Sequence, residues 1–386
     1  MNPADDRGPA LPLRREHPWL SALVAAALVA FVAGLFVQPD RAWPAFLQSV
    51  LLLAGMGLSG ALFLAIHHVV RARWSVPVLP AASSLTSALP AAGALVLLLG
   101  VGASTLYPWA DPAVVEGDHV LEARRAWMTT PFVIGRAAVA FAVWIAFAAA
   151  LVRRARAPRE GGSVGLAAAF LVVFAFTFSL VTFDLAMSLE RWWFSTIFAV
   201  YHFSGAWLSG LAALAIVVVL ARRSGRAPGV DDEVLHDLGK LLFGFSLFWA
   251  YIWFSQYMLI WYTNNPEETS YYLSRHGRGW AALSAANVLL NWTVPFALLM
   301  PRAMKRRENV LLLAATVILV GRWLDLYLGV FPALQPDGPT PGVYEYLLPL
   351  GALALLVLLV RRTYGRAPEP LRAPDALPAG RTAGTA

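Results

Sequence analysis

The chain contains no cysteine. Disulfides, iron–sulfur ligation and covalent attachment of c-type haem are therefore excluded for this polypeptide. Lysine is nearly absent as well: Lys240 and Lys305 are the only two, so positive charge rests on arginine, which with the abundant alanine fits a GC-rich bacterial genome. Charge of either sign is scarce, at 14% of residues, where a soluble domain carries about a quarter. That leaves too little polar surface for a water-soluble globule of 386 residues. What fills the chain instead is apolar: 59% of it is hydrophobic and the mean hydropathy is +0.61.

The apolar residues fall into runs of about twenty, the length that crosses a bilayer as a helix. Ten spans are expected, at roughly 18–37, 44–70, 88–107, 128–152, 164–183, 195–221, 239–262, 279–300, 309–331 and 344–361. This is an all-α polytopic membrane protein, with a transmembrane domain over 18–361 and disordered ends at 1–17 and 362–386 that are rich in Pro, Ala and Arg. The first run is long for a signal-peptide core and is preceded by acids as well as arginines, so it reads as a retained helix.

The net charge of +7 is not a nucleic-acid signal, because the basic residues sit in short loops between the spans. One set of loops holds Arg7, Arg14, Arg15, Arg71, Arg73, Arg153, Arg154, Arg156, Arg159, Arg222, Arg223 and Arg226. It continues with Arg302, Lys305, Arg306, Arg307, Arg361, Arg362, Arg366, Arg372 and Arg381. The other set holds only Arg41, Arg124, Arg125, Arg191, Arg275 and Arg278. Positive charge gathers on the cytoplasmic side, so both termini are expected in the cytoplasm of a bacterial cell.

Ionisable residues inside a span cost about 2.5–3.5 kcal/mol each on insertion scales, so the few that occur mark pairs or sites. Five are expected in the outer half of the bilayer: Arg136, Asp184, His202, Arg322 and Asp325. Arg322 and Asp325 are three residues apart and share a helix face. Together the five suggest a buried polar site open to the outer face. A thinner inner set comprises His67, His68, Lys240, Asn287 and Asn291; His68 and Lys240 are the candidates for a cytoplasmic half-channel, and the two asparagines read as glue between helices. No pair of histidines lies at matching depth for b-type haem, and no His–acid cluster has metal-ligand spacing. At the outer side, Asn265-Pro266-Glu267-Glu268 carries a helix start: Asn265 as N-cap, Pro266 as first helical residue, Glu268 as third. Cap geometry leaves Glu267 unexplained. With Glu190 and Glu268 it could line an acidic proton exit or dock a partner.

Three stretches carry a resemblance: PFVIGR (131–136) with Trp144 beyond it, TFDLAMSLERWWFST (182–196) and LIWYTNNPEETSYYL (259–273). They resemble the ActF-type membrane subunit, called quinone-binding subunit 2, of bacterial alternative complex III, a quinol:cytochrome c oxidoreductase related to NrfD/PsrC-like membrane anchors. Leu185 stands where that family has Trp, and Arg191 where Pro is common. The resemblance implies two four-helix bundles, spans two to five and six to nine, flanked by single helices. It also implies partners: an ActC-like ten-helix sister, an iron–sulfur subunit and c-type cytochrome subunits. The chain itself would hold no metal. Menaquinol is the implied substrate of the complex, and quinone binding or proton translocation the implied role of this subunit. An assembly scaffold is the alternative, with loops 108–126 and 263–278 docking the redox subunits, and a secondary transporter is a third reading.

Overall fold

The computed structural model describes residues 17–156, 163–277, 279–335 and 337–364. The expected terminal segments therefore lie outside the described residues, apart from His17 and the last turn of the final helix, and so do Arg159, Arg278 and the other arginines of the two ends. Among the described residues there is no strand, and ten helices are long and apolar enough to cross a membrane. They are α1 (Pro18–Val37), α2 (Pro39–Val69), α3 (Val76–Leu98), α4 (Thr130–Arg156), α5 (Ser163–Leu185) and α6 (Phe198–Arg223). α7 (Asp232–Thr263) follows, then a short helix α8 (Pro266–His276) that is not a span. The remaining spans are α9 (Trp280–Leu299), α10 (Glu308–Val330) and α11 (Val343–Tyr364).

The third span corrects the expectation of 88–107. It begins at Val76 and ends at Leu98. The stretch VPVLPAASSLTS looks like a loop, with two prolines and four hydroxyls. Pro77 and Pro80 instead sit in the first turns of helical segments, where a missing N–H costs nothing. The hydroxyls of Ser84, Thr86 and Ser87 donate to carbonyls three residues back, so they hide inside the helix. α7 likewise starts seven residues before the expected 239, because Asp231 caps it by accepting from the Val234 N–H.

α2 to α5 close one four-helix ring and α6 to α9 with α10 close a second; α2 and α6 are the most buried spans and cross at the junction of the two rings. At that crossing the residues are small at four-residue spacing on both helices: Gly55 and Ser59 on α2, Ala206 and Gly210 on α6. Ser59 Oγ donates to Gly55 O at 2.8 Å and to Ala206 O at 3.1 Å. A methyl at Gly210 would come within 2.0 Å of the Ser59 Cβ. Close backbone approach of this kind is how helices associate where lipid removes the hydrophobic drive.

The two flanking helices lie side by side. α1 and α11 pack on each other antiparallel and lean together on α2, with Gly34 against Tyr344 and Gly351 against Ala27. α1 therefore begins and α11 ends at the same end of the molecule, called here the terminus end. At that end, Arg222 and Arg223 pair with Asp232 and Glu308, lacing α6 to α7 and α10.

Candidate polar site in the second bundle

Four helices and α8 build the site at the far end of the second bundle. α10 carries Arg322 and Asp325, whose spacing forms the expected ion pair: Arg322 Nη1 donates to Asp325 Oδ2. The other carboxylate oxygen accepts from Tyr201 Oη of α6 and, at 3.1 Å, from Asn287 Nδ2 of α9. Both charged side chains are almost wholly buried, so each proton on Asp325 or hydrogen bond to it matters energetically. Gly205 makes the pair possible. A methyl there would lie 2.3 Å from Arg322 Nη1 and 2.9 Å from Asp325 Oδ2.

The network continues along α9. Asn287 Oδ1 accepts from Asn291 Nδ2 at 2.7 Å. Asn291 lies in a π-helical turn, Leu289–Thr293, of a kind that gathers at functional sites. Gly321 of α10 leaves room for it, since a methyl there would touch the Asn291 amide at 2.8 Å. The two asparagines are thus not only glue between helices: they extend the acid's network from the far half toward the middle of the bundle. His202 is buried next to Tyr201 in sequence, and its Nε2 has no protein partner. Gln256 Nε2 of α7 is likewise buried and unpartnered.

Above this network lies a cavity of about 40 Å³, lined by Tyr201, Gln256, Tyr271, Arg275, Ser284 and Asn287 among others. A water needs roughly 10–15 Å³ of such space and two to four polar partners. The cavity meets both requirements for about three waters. Its roof is Arg275 of α8, which is buried. Arg275 pairs with Glu190 at 2.8 Å, donates to Leu328 O and Tyr271 O, and lies 3.5 Å over the Tyr271 ring. Burial opposes its charge, but Tyr271 and Glu190 outweigh burial and raise its pKa further.

Two of the three stretches quoted above meet here. Glu190 and Trp193 come from the 182–196 stretch; Tyr271 comes from the 259–273 stretch, two turns along α8. Trp193 and Tyr271 stack with centroids 4.0 Å apart. α8 starts as expected, with Pro266 as its first residue and Asn265 Oδ1 accepting from the Glu267 N–H at 3.4 Å. Glu268 accepts from Thr263 Oγ1 instead of closing a capping box. Glu267 is exposed.

No family model matches the chain and no curated protein is similar to it.

The geometry of the site corrects several expectations. The five outer-half residues do not form one site; they divide between the bundles. Arg136 and Asp184 form a separate pair in the first bundle, bidentate, with both contacts at 2.9 Å. Arg136 also donates to Trp127 O and sits over the Trp127 and Phe132 rings, so this pair is fully engaged and reads as a clamp holding α4 to the end of α5. Glu190 is neutralised by Arg275 and is not a free acidic exit. The structure gives His68 and Lys240 separate local partners. His68 Nδ1 engages Leu64 O within α2, while Lys240 is exposed on α7 and pairs with Asp237 one turn earlier. Among the described residues no group of His and acids could hold a metal.

Other residues were passed over in the sequence. Tyr201 is one tyrosine among eleven, and nothing in its spacing marks it. Arg275 counted only as a loop cation. Glu345 is fully buried at the start of α11, held by Arg41 and the Gly342 N–H. Its signal was available: a lone acid in an otherwise apolar span.

Proposed function

We propose that this chain is a proton-handling membrane subunit of a quinol-oxidising respiratory complex, without a redox metal of its own. The observation that carries the reading is the buried Asp325, bonded to Arg322, Tyr201 and Asn287 beneath a water-sized polar cavity. An intramembrane carboxylate with neutral and cationic donors around it is the chemistry of a proton relay. The cavity, which Asp325 meets through Tyr201 and Asn287, takes water and not a ring, which favours proton transfer over quinone at that spot.

The resemblance to ActF-type subunits of alternative complex III supplies the rest of the proposal. In that reading the protein lies in the bacterial cytoplasmic membrane with both termini inside, and menaquinol is oxidised by the complex. The ActC-like sister, the iron–sulfur subunit and the c-type cytochromes would be its partners. A quinol head group would fit a pocket of about 290 Å³ at the far-end interface, lined by Tyr257, Trp261, Asn264, Tyr272 and His276. The scaffold alternative has its own support in a hollow of about 500 Å³ on the far end, bordered by Tyr107, Glu190, Trp192 and Ser270, beside which a partner would find exposed Glu267.

The test begins with a tagged chain drawn from its native membrane in mild detergent. Co-purification of haem and iron–sulfur proteins is expected; a lone, colourless chain overturns the respiratory reading. In the assembled complex, Asp325→Asn is expected to lower quinol-driven proton release at least tenfold with partners retained. Unchanged proton release with full turnover removes Asp325 from the role. Loss of partners in Glu267→Lys, with turnover normal in the remaining complex, supports the scaffold reading.

A further inference from the structure

At the terminus end, far from the polar network, a crevice of about 250 Å³ runs between α2, α3, α6, α10 and α11. Its walls are apolar, including Met56, Leu85, Ala213, Leu319 and Leu356. Leu220 and Val357 border it and are 45% and 42% exposed on the face of their spans. The crevice therefore opens sideways, toward the hydrocarbon of a bilayer. Water gains no hydrogen-bond partner inside such walls, so a space of this kind stays dry or takes an apolar chain. From Ala213 to Ala221 it follows eight residues of α6, a rise of about 12 Å. The hydrocarbon of one leaflet is about 15 Å deep. The length is that of an acyl chain entering from the terminus-end leaflet.

The mouth is different in character. Arg361 and Tyr364, on the last turn of α11, stand at the end of the crevice where α6 also finishes. Arg226, just beyond α6, lies within electrostatic reach of Tyr364. A guanidinium matches a phosphate geometrically and stays charged at a membrane surface. We propose that this crevice is a binding site for one anionic phospholipid, its acyl chain between α6 and α11 and its phosphate at Arg361. A zwitterionic lipid would bring an ammonium toward the same two arginines, so a net negative head group is preferred. The site does not depend on the respiratory reading.

Native mass spectrometry of the purified chain, stripped of lipid and titrated with phosphatidylglycerol or phosphatidylethanolamine, tests it. One phosphatidylglycerol per chain is expected, retained several-fold over phosphatidylethanolamine. Arg361→Gln should remove that preference, and Ala213→Phe, which fills the crevice, should reduce retention of both lipids. Should Ala213→Phe fail to fold, Leu353→Trp blocks the same space from α11. Equal retention of the two lipids by the unaltered chain overturns the proposal. So does unchanged retention in Arg361→Gln together with either blocking variant. Displacement by inorganic phosphate alone would reassign Arg361 to a free anion, and preferential uptake of a prenylated naphthoquinone would reassign the crevice to quinone.

Discussion

Arg322 and Asp325 are a buried ion pair, each the other's charge partner. Removing one member of a buried pair leaves the other charge without compensation, at a cost of about 3–5 kcal/mol. Arg322→Gln alone should therefore lower the melting temperature sharply, while Arg322→Gln with Asp325→Asn should recover most of it. Scanning calorimetry or a fluorescence melt in detergent measures both. If the double variant melts as low as the single one, the pair's charge is not what Arg322 stabilises. The pairing itself was legible from the i, i+3 spacing within one span. Its surroundings were not, because Tyr201, Asn287 and Gly205 come from other helices and no local pattern reports which face meets which. Likewise the sequence showed that Arg136 and Asp184 were unusual, yet only packing separates their closed clamp from the open network around Asp325.

At the scale of elements, the far-end loop between α3 and α4 is held by one carboxylate. Asp118 Oδ1 accepts from the Val120 and Leu121 N–H groups, and Oδ2 accepts from Arg191 Nε at 2.6 Å and Trp192 Nε1 at 3.1 Å. Burial alone would raise its pKa. The Leu121 N–H, Arg191, Trp192 and the Val120 N–H outweigh burial and bring it from 3.8 down to about 2. A carboxylate with a depressed folded-state pKa stabilises fully above its ordinary value and loses that contribution as pH falls through the folded one. Amide protection in 119–125 should thus be constant from pH 8 to pH 4 and fall as pH approaches 2. Asp118→Asn should lose protection even at pH 8 and expose Arg124 and Arg125 to trypsin. Protection that already fades at pH 5 would show another group in control. This clasp is invisible to local pattern, since Asp118 and Arg191 are 73 residues apart. By contrast the start of α8 was legible to the residue, because cap signals are local.

At the scale of the whole molecule, composition and period were enough for ten spans, and resemblance for two bundles. What they missed was how the halves join. The α2–α6 crossing rests on Gly55, Ser59, Ala206 and Gly210, small residues that hydropathy treats as featureless. They missed equally that other far-end arginines are balanced by acids: Arg41 by Glu345, Arg136 by Asp184, Arg191 by Asp118 and Arg275 by Glu190. The positive-inside rule counts arginines and lysines and not net charge, so this pairing leaves the topological argument unchanged. The absence of cysteine makes the orientation directly measurable, because any introduced thiol is the only one in the chain. Ser270→Cys, exposed on α8, should react with a membrane-impermeant maleimide in intact spheroplasts. Ala303→Cys, exposed between α9 and α10, should react only after the membrane is opened. The reverse pattern would put both termini outside and turn the cavity beside Tyr201 and Asn287 toward the cytoplasm.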